Sequence, residues 1–317
     1  MTRARLVNLI GVAIGVAGLA FVAARIVRDR NEITEALESA DPVWLLLAVL
    51  SGLAAMALLG LNWLIIIRHA GAPAPWRRGL NWFFVGQLGK YVPGGIWPIV
   101  GQAELAHRAT TPRSIAYSTT ALSMVATLLG AAATAVITGL WSPAGSRIVP
   151  ALLALGLVVC VVLLASPQVR TQLHRLADRV TERELRLPDA AWFAGIVARY
   201  VPVWVLFAGM NIFAVVALGG TLDTSLVVTL ISATCVSWIA GFVIIGLPGG
   251  LGVREAVFIS MMTVPLGAGL AVSVAVISRL VSIAVDLLGA AASVPVSRTA
   301  PPITPREPQS TDSYAAR

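Results

Sequence analysis

Pro93-Gly94-Gly95-Ile96 interrupts an apolar stretch, and the same pattern returns in the second half of the chain as Pro248-Gly249-Gly250-Leu251. Proline and glycine end a regular helix. The surroundings of both copies are oily: 57 % of the 317 residues are apolar and 12 % charged, against about 25 % charged in soluble domains. The mean hydropathy is +0.85. A soluble globule, a disordered chain and a disulfide scaffold are excluded, which leaves a polytopic membrane protein. In hydrocarbon, the amide and carbonyl groups freed by a broken helix survive only against protein, water or ligand. Corresponding broken segments in two halves are the sequence pointer to a transporter's binding site. Two unrelated helix kinks are the plainer alternative.

Outward from these motifs, apolar runs cover 6–24, 43–67, 114–140, 148–165, 191–218, 224–246 and 268–294. A span needs about 20 apolar residues to cross a ~30 Å hydrocarbon layer. The expected fold is therefore all-α, with seven or eight transmembrane helices. Segments 79–100 and 247–267 are read as broken, the first as a re-entrant hairpin. No strand pattern occurs. Residues 1–296 form one helical membrane domain, and the Pro-, Ser- and Thr-rich tail 297–317 is expected to be disordered.

Charge orients the chain. The net charge is +8. Basic clusters at 68–78, 107–113 and 170–186 share one side, which the positive-inside rule makes cytoplasmic, together with the N-terminus. Basic loops, rather than nucleic-acid binding, account for the cations. Residues 168–187 repeat Val169, Leu173, Leu176 and Val180 opposite five arginines. They fit an interfacial helix on anionic headgroups or an ordinary basic loop. The side of the C-terminus depends on 251–265: a re-entrant segment puts it outside, a crossing puts it inside.

The candidate site residues are the charged and broken positions. Gln102, Glu104 and Arg108 follow the first motif, and Arg254 and Glu255 follow the second. A charge at membrane depth costs about 2.5–3.5 kcal/mol, so such residues are functional or paired. Arg279 and Asp286 are two turns apart, ~10 Å along one helix face. These charges either serve a ligand or pair to fix the packing. Lys90, the only lysine, precedes Tyr91 and the first motif; it holds a phosphate or snorkels to the interface.

Other chemistries find little support. Residues 86–91 lack P-loop spacing, and 246–252 follow no strand, so neither is a nucleotide motif. HExxH and GxSxG are absent from the sequence. Cys160 and Cys235 lie in apolar runs, and His69, His107 and His174 are scattered. No metal or cofactor is expected.

Residues 89–98, continuing to Gln102, Glu104 and Arg108, and residues 246–255 together resemble the lysylphosphatidylglycerol synthase transmembrane-region family, also called flippase-like domain proteins. Ala40-Asp41-Pro42-Val43-Trp44 fits as well, and the resemblance covers roughly 5–295. The first motif is a variant, with Gln102-Ala103-Glu104 where many members read Gly-Glu followed by Arg. The resemblance implies a cell-membrane domain that moves a modified lipid across the bilayer. It also implies homodimers, and a lipid-modifying synthase or glycosyltransferase as partner. Substrates of that kind are aminoacyl-phosphatidylglycerol and polyprenyl-phosphate-linked sugars. On that reading the substrate-binding residues are Lys90, Tyr91, Pro93, Gly94, Gly95, Gln102, Glu104, Arg108, Pro248, Gly249, Gly250, Arg254, Glu255, Arg279 and Asp286. No stretch reads as the soluble catalytic domain of larger members, so the expectation is a flippase and not an enzyme. The alternatives are a membrane subunit or accessory of a lipid-modifying transferase, and a purely structural membrane partner.

Overall fold

The computed structural model describes residues 38, 40–91, 96–109, 111–141, 151, 154–156, 189–243 and 252–298. Within them lie eight α-helices: α1 Pro42–His69, α2 Trp76–Gln87, α3 Trp97–Ala109, α4 Arg113–Trp141, α5 Ala190–Ala217, α6 Thr224–Val243, α7 Val253–Leu266 and α8 Ala268–Arg298. No strand occurs among the described residues. Five helices (α1, α4, α5, α6 and α8) are long and apolar enough to cross a membrane. The expected span 6–24, the basic segment 168–187 and the tail from 299 lie outside the described residues, and of the expected span 148–165 only 151 and 154–156 lie within them.

Aspartates start three of the long helices. Asp41 accepts the amide of Val43 (2.8 Å), Asp189 that of Trp192 (2.8 Å) and Asp223 that of Leu226 (2.7 Å). Each satisfies an amide that the first helical turn leaves without a partner. Pro42, already at a helical φ, takes the first position of α1. In α4 the hydroxyls of Thr120, Thr127, Thr134 and Thr138 donate to carbonyls four residues back, so they cost nothing in an apolar setting.

Contacts at the helix ends fix the layout. The Asp41 amide donates to the Ala217 carbonyl (2.8 Å), and the His69 ring stacks on Trp192 at 3.9 Å. α1 and α5 are therefore antiparallel, with one end of the bundle marked by Asp41 and the other by His69. Trp63 donates to Thr120 (3.0 Å) and Asn62 to the Arg199 carbonyl (3.0 Å), which place the starts of α4 and α5 near the His69 end. Trp63, Tyr200 and Trp204 are fully buried at these crossings.

The first broken segment resolves into two short helices. α2 leaves the His69 end, where the Arg68 guanidinium lies 4.1 Å over the Trp76 ring, and runs back along α1 so that Phe83 meets Trp63. A 3₁₀ turn, Leu88–Tyr91, closes it. α3 returns toward the same end, because Gly86 and Gly101 bring the two backbones together. A Cβ on Gly86 would stand 2.5 Å from Gln102 Cγ and 2.8 Å from its amide nitrogen. At about 18–20 Å, neither helix covers a ~30 Å layer.

The second segment is more regular than its sequence suggests. Residues 247–267 read as broken throughout, yet from Val253 they form the continuous helix α7, with Pro265 only in its last turn. The described part opens at Gly252, whose φ of +84° suits only glycine. Gly267, also left-handed at +80°, turns α7 directly into α8. α8 begins at the Asp41 end, since Leu270 lies 3.3 Å from where a Gly220 Cβ would stand. It ends at the His69 end, beside α2, where Asn81 donates to Ser293 (3.0 Å). The last described residue thus lies on the face of the basic cluster 68–78.

Candidate functional site

The α2–α3 hairpin ends inside the bundle, against the middle of α8. Lys90 Nζ lies 2.8 Å from Asp286 Oδ1 and 2.6 Å from Oδ2, and the Tyr91 hydroxyl donates to Oδ2. Asp286 is 1 % exposed and Tyr91 5 %. A carboxylate this buried is tolerable only when both oxygens are satisfied, and here the hairpin tip satisfies both. Gly89 makes the tip possible: a Cβ there would meet the Trp97 carbonyl carbon at 2.7 Å.

About two turns earlier on α8, Arg279 meets the first turn of α7. Its Nη1 lies 3.7 Å from Glu255 Oε1, while Glu255 Oε2 accepts the Gly252 amide at 2.7 Å. Glu255 therefore caps its own helix and leans on Arg279. Arg254, beside it, has no hydrogen bond or ion pair among the described residues, although it is half-buried. Arg254 and Arg279 repel each other, and both act on Lys90. Three cations thus face two carboxylates, a local excess of one positive charge.

Arg254, Glu255 and Arg279 line a cavity of ≈ 20 Å³, with Asn211, Ser237 and Ser278 as further polar walls and Phe258 and Ala275 as apolar ones. That volume holds about one water. Asn211 donates to Thr234 (2.8 Å) and accepts from Ser278, so the amide is fixed in place. Ser237 and Ser278 already give their single hydrogens to the Thr234 carbonyl and to Asn211 Oδ1, so the donors left for an oxyanion are the Arg254 guanidinium and the second N–H of Asn211.

Chain and space distribute the expected residues differently. Lys90, Tyr91, Arg254, Glu255, Arg279 and Asp286 converge. Gln102 is buried where α3 crosses Gly86, away from the cavity. Glu104 and Arg108 pair with each other at 2.8 Å on the open side of α3, with Tyr117 at 3.4 Å. The Arg108 hydrogen bond holds the Glu104 carboxyl below the usual range. Pro93, Gly94, Gly95, Pro248, Gly249 and Gly250 lie outside the described residues. Lys90 neither snorkels nor stands free, since its partner is Asp286. Asn211, Ser237 and Ser278 escape a reading that follows formal charges; a lone asparagine in an apolar span is the signal that marks the first. Among the described residues no cluster of His, Cys, Asp or Glu could hold a metal.

The family described as lysylphosphatidylglycerol synthase TM region matches residues 8–290. The chain belongs to this family. No curated protein matches it. Membership in the lysylphosphatidylglycerol synthase TM-region family and five apolar helices agree on a multi-pass membrane protein. The family match spans both halves of the site, from the Lys90 tip to Asp286.

Proposed function

We propose that this member of the lysylphosphatidylglycerol synthase TM-region family is a flippase. It carries a phosphate-bearing lipid across the cell membrane, holding the headgroup at Arg254 while the chains stay in the bilayer. The observation that carries the reading is the Arg254 guanidinium, which lines a polar cavity inside the bundle and makes no ion pair or hydrogen bond among the described residues. A buried charge is costly without a partner, and a phosphate supplies one. Arg254 also stands in the first turn of α7, where the helix dipole favours anions.

On this reading α2 and α3 form a re-entrant hairpin, too short to cross. The His69 face, which carries the basic clusters, is cytoplasmic, as is the N-terminus. Aminoacyl-phosphatidylglycerol and polyprenyl-phosphate-linked sugars both carry the required phosphate, and a synthase or glycosyltransferase acting on lipids is the partner that would supply them. Translocation without chemistry is supported by the two carboxylates being engaged: Asp286 by Lys90 and Tyr91, Glu255 by Arg279 and its own helix cap.

The test is headgroup accessibility in proteoliposomes. Purified protein is expected to move a labelled phospholipid between leaflets, and Arg254→Ala, still folded, to do so at least tenfold more slowly. Equal rates in the two proteins would remove the site assignment. Conversion of the lipid by purified protein alone would replace the flippase reading with a transferase.

A further inference from the structure

Where α1 gives way to α2, the chain builds a corner that the headgroup reading at Arg254 does not use. Gly71, at a φ of +82°, turns the backbone after His69. Ala72 and Ala74, 5 % and 2 % exposed, pin the turn to the core, and Pro73 and Pro75 fix φ at their own positions. The Arg68 side chain folds over this turn. Its Nε donates to the Ala74 carbonyl at 2.9 Å, and its guanidinium lies 4.1 Å over the half-exposed Trp76 ring.

Arg68 and residues 71–75 line an open hollow of ≈ 410 Å³, within the range of about 300–1,000 Å³ for small-molecule sites. With Nε engaged, the two terminal nitrogens of the guanidinium have no partner among the described residues. They form a fork that matches two phosphate oxygens. The hydrogen bond and the ring hold that fork in place before any ligand arrives, which lowers the cost of binding.

Depth and charge decide which anion fits. The apolar run 43–67 is about 37 Å long as a helix, enough to cover a ~30 Å hydrocarbon layer, so Arg68 follows at the level of the headgroups. Trp76 beside Arg68 and Trp192 against His69 mark the same level, where tryptophan rings favour the membrane–water boundary. No acidic residue occurs between Asp41 and Glu104, so this stretch supplies no carboxylate to neutralise Arg68 or the exposed Arg77.

We propose that the Arg68 hollow binds the phosphate of an anionic phospholipid from the leaflet on the His69 face. It is a second lipid site, sharing no lining residue with the Arg254 cavity. The lipid held there stays in its leaflet and fastens the root of α2 to the membrane surface.

The experiment is native mass spectrometry of the purified full chain in neutral detergent, titrated with phosphatidylglycerol, with phosphatidylcholine, or with phosphatidylglycerol in the presence of inorganic phosphate. One phosphatidylglycerol is expected to stay bound in preference to phosphatidylcholine and to resist millimolar phosphate. Arg68→Gln is expected to weaken that adduct at least fivefold. Arg68→Lys keeps the charge at the corner without the fork, and is expected to weaken it at least threefold even if the glutamine variant fails to fold. Arg113→Gln, which removes an exposed cation at the same end of the bundle, is expected to leave it unchanged. No preference for phosphatidylglycerol, displacement by phosphate, full affinity in Arg68→Lys, or an equal loss in Arg113→Gln would each overturn the proposal. The adduct is also expected to survive Arg254→Gln. Its loss there would place the lipid in the Arg254 cavity and overturn the second site, whereas an adduct retained by a protein that moves no lipid would sink the flippase reading and leave this site standing.

Discussion

Lys90 and Asp286 lie 196 positions apart in the chain, yet the lysine nitrogen sits 2.6–2.8 Å from both carboxylate oxygens. Neither charge is affordable at that depth alone. Asp286→Ala strands Lys90, and the expected loss is about 3–5 kcal/mol, read as a lowered unfolding transition in detergent. Replacing both partners with apolar residues should cost clearly less, because no orphan charge remains. Equal losses would show that the pair is not a mutual dependence.

Arg254 should behave in the opposite way. It gives up no partner on substitution, so Arg254→Gln is expected to leave the unfolding transition unchanged or slightly raised. Headgroup movement should still fall at least tenfold. A large loss of stability would mean that the guanidinium holds the fold rather than a ligand.

Gly86 is a steric prediction. A valine there drives its side chain into Gln102 and its backbone amide, and overpacking of this kind costs about 1–3 kcal/mol. The hairpin should splay while α1, α5 and α8 remain packed. Faster hydrogen exchange confined to α2 and α3 is the expected signature, and uniform exchange would contradict it.

Glu104 and Arg108 form an exposed pair four residues apart, a class worth about 0.3–0.5 kcal/mol. Glu104→Gln is expected to leave headgroup movement intact. The carboxyl titrates below its usual range in the fold, so its small contribution is complete above the unfolded value and fades as pH falls through the lowered one. A melt that loses nothing on acidification relative to Glu104→Gln would argue against the pair.

The five described long spans are legible because each is an apolar run of the required length, some opened by a visible signal such as Asp41-Pro42 or Asp189. The charged members of the site are legible for the same thermodynamic reason: Arg254, Arg279 and Asp286 are costly where they stand. Partnership is not legible. Helical spacing puts Arg279 and Asp286 on one face of α8, but each takes its counter-charge from another element, and only packing decides which. Local regularity is equally hidden after Gly252. The glycines of 246–252 suggest a longer interruption, whereas Glu255 caps the chain at once and Val253 onward has no breaker until Pro265.

Gly267 joins α7 to α8 through a single left-handed residue, which makes α7 a lever about 20 Å long with its pivot at the Asp41 end. A swing of about 10° there would carry Arg254 about 3–4 Å sideways, roughly the reach of one hydrogen bond.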